Sequence, residues 1–167
     1  MHKMTEKTLA EAFAGESQAN TKYQLYAEMA RDEGRDNIAR LFEAIAYAER
    51  VHARNHLRAL GRKMSAAENL QDAIDGENFE VQEMYRAYLA VAQLQEEKAA
   101  ITSHRYALEA EKIHAEKFAQ ALQAVQEGKD IDLNDIYICP TCGHTVENAA
   151  PDRCPVCGVP GSKFRRF

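Results

Sequence analysis

Proline does not occur before Pro140, and glycine is thin over the same stretch. A body with so little punctuation points to long helices, and the crowding of both residues near the C-terminus points to a short, loop-rich tail. No apolar run approaches the ~18 residues of a membrane span, so a transmembrane protein is not expected. The N-terminus, Met1-His2-Lys3-Met4-Thr5-Glu6, lacks the hydrophobic segment of a signal peptide. An excess of positive charge is missing too. The 21 Lys and Arg against 26 Asp and Glu give a net charge of −5, which excludes a nucleic-acid groove built from clustered cations. The basic end Lys163, Arg165 and Arg166 is too short to alter this. Without a secretion signal, the four cysteines read as metal ligands rather than disulfides, and a reducing cytoplasm is the expected location.

What is present is a helical pattern with a real core, since 46% of residues are hydrophobic. Thr5 or Thr8 is expected to cap a first helix running to about Arg31, with Gly34 just beyond it. Asp36 opens a second helix ending at Gly61, and Ser65-Ala66-Ala67-Glu68 has the form of a capping box for a third. From there to Glu127 only Gly76 interrupts the pattern. About sixty residues of unbroken helix would span roughly 90 Å, too long for this domain, so a turn is expected between Glu96 and Ala99. Gly128 closes a fourth helix. Four such helices make a bundle.

The halves of this helical region repeat. Ala46-Tyr47-Ala48-Glu49-Arg50-Val51-His52-Ala53 aligns with Leu108-Glu109-Ala110-Glu111-Lys112-Ile113-His114-Ala115, and Gly15-Glu16 aligns with Gly76-Glu77. Tyr23 and Tyr26 match Tyr85 and Tyr88, and His104 matches Phe42. Each half thus carries a Glu-x-x-His, whose side chains at i and i+3 share a helix face, and one further glutamate a helix earlier. One such pair alone is readily a chance feature of a solvated Glu-rich helix. Two pairs with matched upstream glutamates, flanked by Ala46, Val51, Ala110 and Ile113, are the ligand pattern of a two-metal bundle core. Carboxylates can bridge two metals while neutral imidazole fills a terminal position. Glu80, three residues after Glu77, adds a fifth carboxylate on that face. Tyr23 and Tyr85 lie about two turns past Glu16 and Glu77; they read equally as hydrogen-bond donors to the ligands or as core tyrosines. His56 and His104 are not expected to ligate.

The repeat contains a slip. Tyr23 follows Glu16 by seven residues but Tyr85 follows Glu77 by eight. An extra residue in a continuous helix can be absorbed as a π-turn, which would swing Glu80 inward beside Glu77. A regular helix is expected between Glu16 and Tyr23.

In the tail, Cys139-Pro-Thr-Cys142-Gly and Cys154-Pro-Val-Cys157-Gly form two chelating knuckles. Four thiolates suit zinc or iron, and their spacing leaves both open. The two-metal bundle favours iron, because a one-electron centre is useful beside a redox site.

Together these motifs resemble the rubrerythrin family over essentially the whole chain. The resemblance implies an all-α, ferritin-like four-helix bundle over residues 1–134 and a small rubredoxin-like four-cysteine metal domain over 135–167. It implies an oxo-bridged di-iron centre bridged by Glu49 and Glu111. One iron would take Glu16 with either His52 or Glu80, which exchange with redox state, and the other would take Glu77 and His114. Cys139, Cys142, Cys154 and Cys157 would hold a single iron, which zinc can replace in recombinant protein. The implied activity is non-haem peroxidase: hydrogen peroxide is reduced to water, with electrons from a nicotinamide-linked reductase or a rubredoxin, in a head-to-tail homodimer. Ferritin-like iron oxidation and storage is the alternative, but it gives no reason for a four-cysteine tail. Two departures from the family pattern stand out: Phe79 where tyrosine is common, and Gln95-Glu96-Glu97-Lys98 in place of a glycine-bearing turn.

Overall fold

Alanine dominates the contact between the first two helices, and it lets them approach closely. The computed structural model describes residues 1–61 and 65–167. Helix α1 spans Lys3–Asp32 and α2 spans Asp36–Ala59. Ala27, Ala30 and Ala39 are buried between them with Phe42 packed alongside, and Ala46 and Ala53 continue the buried stripe along α2. With so little side chain in the way, Asn20 reaches across to donate to the Ala46 carbonyl at 2.7 Å. These helices form one compact unit, Met1–Lys63; the second is Met64–Phe167.

The start of α1 departs from the sequence expectation. His2 is the N-cap residue and makes no side-chain cap, and Thr8 lies inside the helix with its hydroxyl donating to the Thr5 carbonyl at 3.1 Å. A threonine satisfied on its own preceding turn no longer serves as a start signal. The Ser65 capping box is formed as expected: the Glu68 amide donates to Ser65 Oγ at 3.3 Å, and the Ser65 amide donates to the Glu68 carboxylate at 2.7 Å.

In the second unit, α3 (Ala66–Phe79) continues through a π-helical turn at Glu80–Met84 into α4 (Tyr85–Leu94), and α5 (Lys98–Gln126) packs against both. The Tyr85 amide donates to the Glu80 carbonyl, an i→i+5 bond, whereas α1 is regular α-helix through Glu16 and Tyr23. The extra residue is thus absorbed where the slip in the repeat placed it. After α5, three short strands form an antiparallel sheet in the order β2 (Thr145–Glu147), β1 (Ile136–Ile138), β3 (Arg165–Arg166). Among the described residues, no helix is long and apolar enough to cross a membrane.

The expected turn falls between α4 and α5, and its chemistry is unusual. Gly34 and Gly128 end α1 and α5 in the left-handed region, at φ 73° in both cases. The amide of each donates three residues back, and the amide of the next residue donates five back, from Arg35 to Ala30 and from Lys129 to Ala124. This is the Schellman pattern. Glu96 makes the same bonds to end α4, its amide donating to Gln93 and that of Glu97 to Ala92, at φ 58° without being glycine. A left-handed L-residue costs roughly 1–2 kcal/mol, partly offset because glycine loses roughly 0.5–1 kcal/mol more conformational freedom on folding. Glu96→Gly should therefore stabilise the protein by about 0.5–1 kcal/mol in urea denaturation. Glu96→Ala should give no comparable gain, and an equal gain from both would remove backbone strain as the cause.

Candidate metal centres

The two cysteine knuckles place four sulfurs at the corners of a small cluster. Cys139 Sγ lies 3.5 Å from Cys157 Sγ, and Cys142 Sγ lies 3.4 Å from Cys154 Sγ. All four are free thiols. A disulfide would bring the sulfurs to about 2.05 Å, whereas a tetrahedron with metal–sulfur bonds of about 2.3 Å has edges of about 3.8 Å. The cluster is close to the second and far from the first. Gly143 and Gly158 follow the knuckles at φ 76° and 77°, a turn that aims backbone amides at sulfur. Burial pushes the Cys154 thiol up, but donation from the Cys157 and Val156 amides outweighs it, and its pKa falls to about 7. Burial wins at Cys142, whose thiol is held above the ordinary range despite an amide bond from His144. Tyr106, Val156, Val159 and Phe164 enclose the sulfurs.

In the first unit, α1 supplies Glu16 and α2 supplies Glu49 and His52; one ligand atom from each lies within 4.8 Å of the others. His52 Nδ1 is 2.9 Å from Glu49 and 3.8 Å from Glu16. The second unit repeats the arrangement. Glu77 from α3 joins Glu111 and His114 from α5 within the same limit, and His114 Nδ1 lies 2.5 Å from Glu111 Oε2. Burial, a hydrogen bond with Glu111 and the charge of Glu111 raise the Glu77 pKa to about 7. Glu77 therefore holds its proton more readily than an ordinary carboxyl, because a second charge beside Glu111 is costly without a cation.

Glu80 stands outside the tight triad but inside its field. Burial and then the charge of Glu111 raise its pKa, while His114 lowers it. Glu80 opens the π-turn, so the extra residue of the second copy lies at the position of this carboxylate. Tyr85 lies in the same field: burial first, then Glu80, Glu111 and Glu77, hold its hydroxyl above the usual range. Neither Tyr23 nor Tyr85 makes a hydroxyl hydrogen bond among the described residues; their rings stack instead. Tyr23 and Tyr26 pack against Phe42, and Tyr85 and Tyr88 against His104. His104 thus takes the place of Phe42 in the second copy, and neither His104 nor His56 joins a ligand group among the described residues. A Cβ at Gly15 or Gly76 would meet nothing within 4 Å among the described residues.

Within the second unit the cysteine module rests on α5 beside this triad. A Cβ on Gly143 would lie 3.6 Å from that of Ala110, Lys117 pairs with Glu147, and Thr145 Oγ1 lies 2.8 Å from His114 Nε2. Nothing in the sequence marks Thr145, because its partner on α5 is set by the docking alone.

The Rubrerythrin family model matches residues 7–122, and the rubrerythrin rubredoxin-like domain matches residues 137–165. The chain belongs to the rubrerythrin family. It is 42% identical to rubrerythrin-2 of Clostridium acetobutylicum over 98% of this chain and 97% of that one. It is 31% identical to nigerythrin of Nitratidesulfovibrio vulgaris, covering 98% and 86% of the two chains. A solved structure of nigerythrin in its fully reduced, all-ferrous state matches with a TM-score of 0.57 at 30% identity, covering 98% of this chain and 86% of that one. The fold class is thus the helical ferritin-like domain with a rubredoxin-like end, and both ligand sets of that family, for a di-iron centre and for one metal in four cysteines, are present. The donor sets fit these metals: carboxylates and imidazoles in the helices, soft thiolates in the tail.

Raised carboxyl pKa values carry a stability consequence. Between the ordinary carboxyl value of 4.5 and about 7, folded Glu77 binds more protons than unfolded Glu77. The stability of the metal-free protein therefore falls through this window as pH rises. Glu80 acts with the same sign, and His144, lowered by burial, acts against it below 6.5. Comparing urea midpoints of metal-free wild type and Glu77→Gln isolates the term: the variant should gain on wild type as pH goes from 4.5 to 7. Parallel curves would show that Glu77 is not strained.

Proposed function

We propose that the protein is a non-haem peroxidase that reduces hydrogen peroxide to water, with electrons relayed through its four-cysteine iron. The observation that carries this reading is the seating of the cysteine module on the helix bearing Glu111 and His114. Iron oxidation and storage needs a carboxylate–histidine site but gives a thiolate one-electron centre no role beside it.

The triads Glu16–Glu49–His52 and Glu77–Glu111–His114, with Glu80, are taken as the di-iron ligands, residues 1–134 as their domain, and 135–167 as the relay domain. When bound, the diferrous pair supplies the two electrons of peroxide reduction, and the cysteine-bound iron restores them singly. The chain's own groups set how this proceeds. Glu49 and Glu111, the carboxylates of the Glu-x-x-His pairs, would hold the metals together with the upstream glutamates. Among the described residues, the exposed His52 contacts Glu16 and Glu49 through Nδ1, and His52 and Glu80 are taken as the ligands that exchange with redox state. In the metal-free protein, burial and the charge of Glu111 make Glu80 hold a proton more readily than an ordinary carboxyl. The free thiols suit a reducing cytoplasm. The reading includes a nicotinamide-linked reductase or rubredoxin as donor and a head-to-tail homodimer. The Gly143–Ala110 contact offers a route within one chain that does not require the dimer.

Reconstitution with ferrous iron should load about three irons per chain, one at the cysteines and two at the carboxylates; no more than one would remove the di-iron assignment. With iron in excess, Cys154→Ala, Cys157→Ala should still oxidise in a single turnover with peroxide, while steady turnover with a reductase collapses. Undiminished steady turnover would remove the relay. Formation of a ferric mineral core without peroxide consumption would favour storage.

A further inference from the structure

Thr145 is the first residue of β2 and is 8% exposed. Its backbone is fixed by pairing with Ile138, next to Cys139, and the Cys139 amide donates to the His144 carbonyl at 2.9 Å. The Lys117–Glu147 pair and the approach of Gly143 to Ala110 hold this strand against α5. The Thr145 hydroxyl faces two groups: the Gly143 carbonyl at 3.1 Å and His114 Nε2 at 2.8 Å.

A hydroxyl has one proton and two lone pairs, and a carbonyl only accepts. Donation from Thr145 to Gly143 therefore leaves the hydroxyl oxygen to accept from Nε2–H of His114. That places a proton on Nε2 and leaves Nδ1, which shares a hydrogen bond with Glu111 in the metal-free protein, as the nitrogen a metal would take in place of that proton. Donation to Nε2 instead would cost the Gly143 carbonyl this partner. His52 has no equivalent: its contacts run through Nδ1 to Glu49 and Glu16, and its side chain is 53% exposed against 30% for His114.

We infer that Thr145 is a positioning residue, through which the cysteine module fixes the tautomer and ring orientation of His114 and makes it the permanent imidazole ligand, leaving His52 as the mobile one. The inference rests on the assignment of His114 as a ligand in the proposed function. It concerns metal binding rather than turnover, so it can be read without peroxide chemistry.

The test uses the full chain with zinc at every site, comparing wild type, Thr145→Val and Thr145→Ser. Chelator competition reads affinity at the carboxylate–histidine sites, and proton NMR in water reads the His114 ring N–H. Thr145→Val, nearly isosteric but without the acceptor, should weaken the His114 site by about 10–100-fold, the usual scale for loss of such a partner, and should lose the slowly exchanging Nε2–H resonance. Thr145→Ser should keep both, and an unchanged His52 ring signal together with four-thiolate zinc binding will show that the valine variant is folded. Equal affinity and a persistent N–H resonance in Thr145→Val would overturn the inference while leaving the ligand assignment intact. Absence of zinc at His114 in the wild type would instead remove the assignment, and the inference with it.

Discussion

Two carboxyl groups pressed together on facing helices, Glu77 on α3 and Glu111 on α5, set the terms for the second unit. Neither pairs with a Lys or Arg among the described residues, and burial together with the contact to Glu111 raises the Glu77 pKa to about 7. Partly buried like charges are costly unless a proton or a metal compensates them. A helix pair that tolerates this arrangement is built around a cation. The placement of α3 on α5 and the cysteine module resting on α5 both converge on that one face.

The repeat explains the architecture, and its imperfections explain the chemistry. Both copies keep one glutamate, a Glu-x-x-His and a pair of tyrosines against a ring. Three features break the symmetry. The second copy has an extra residue that becomes a π-turn, His104 where the first has Phe42, and Thr145 on the outer nitrogen of its ligand histidine. All three fall in the second unit. The first triad is accordingly the looser of the two, with its histidine more exposed and, among the described residues, held through Nδ1 alone. A two-metal centre that must change redox state benefits from having one adaptable end and one fixed end.

Much of this was legible before any coordinates. The helix boundaries followed from Gly34, Gly61 and Gly128, the third start from Ser65 and Glu68, and the π-turn from counting residues between Glu77 and Tyr85. These signals are local, so sequence spacing carries them. The N-terminal start misled because Thr8 bonds back to Thr5, a choice between two local partners that the motif alone cannot decide. The tyrosine hydroxyls illustrate a different limit. Their distance along the helix from Glu16 and Glu77 was right, but the rings turned toward Phe42 and His104 through packing. Thr145 was out of reach altogether, because its contact with His114 depends on how a three-strand sheet lands on a helix thirty-one residues away.

The way that sheet lands bears on how electrons would travel. Cys142 is one of the four clustered cysteines, Gly143 follows it in the chain, the Gly143 carbonyl accepts from Thr145, and the Thr145 hydroxyl lies 2.8 Å from His114 Nε2. Covalent bonds and two hydrogen bonds thus join a cysteine sulfur to an imidazole of the other centre. Each link has its own structural reason: a left-handed glycine that turns the knuckle, a buried threonine pinned by strand pairing, and a histidine whose inner nitrogen faces a carboxylate. The small residues Gly143 and Ala110 are what allow the module to come near enough. A bulkier pair there would lengthen the Thr145–His114 bond, which crosses from the module to α5, while the Thr145–Gly143 bond, internal to the knuckle, would stay.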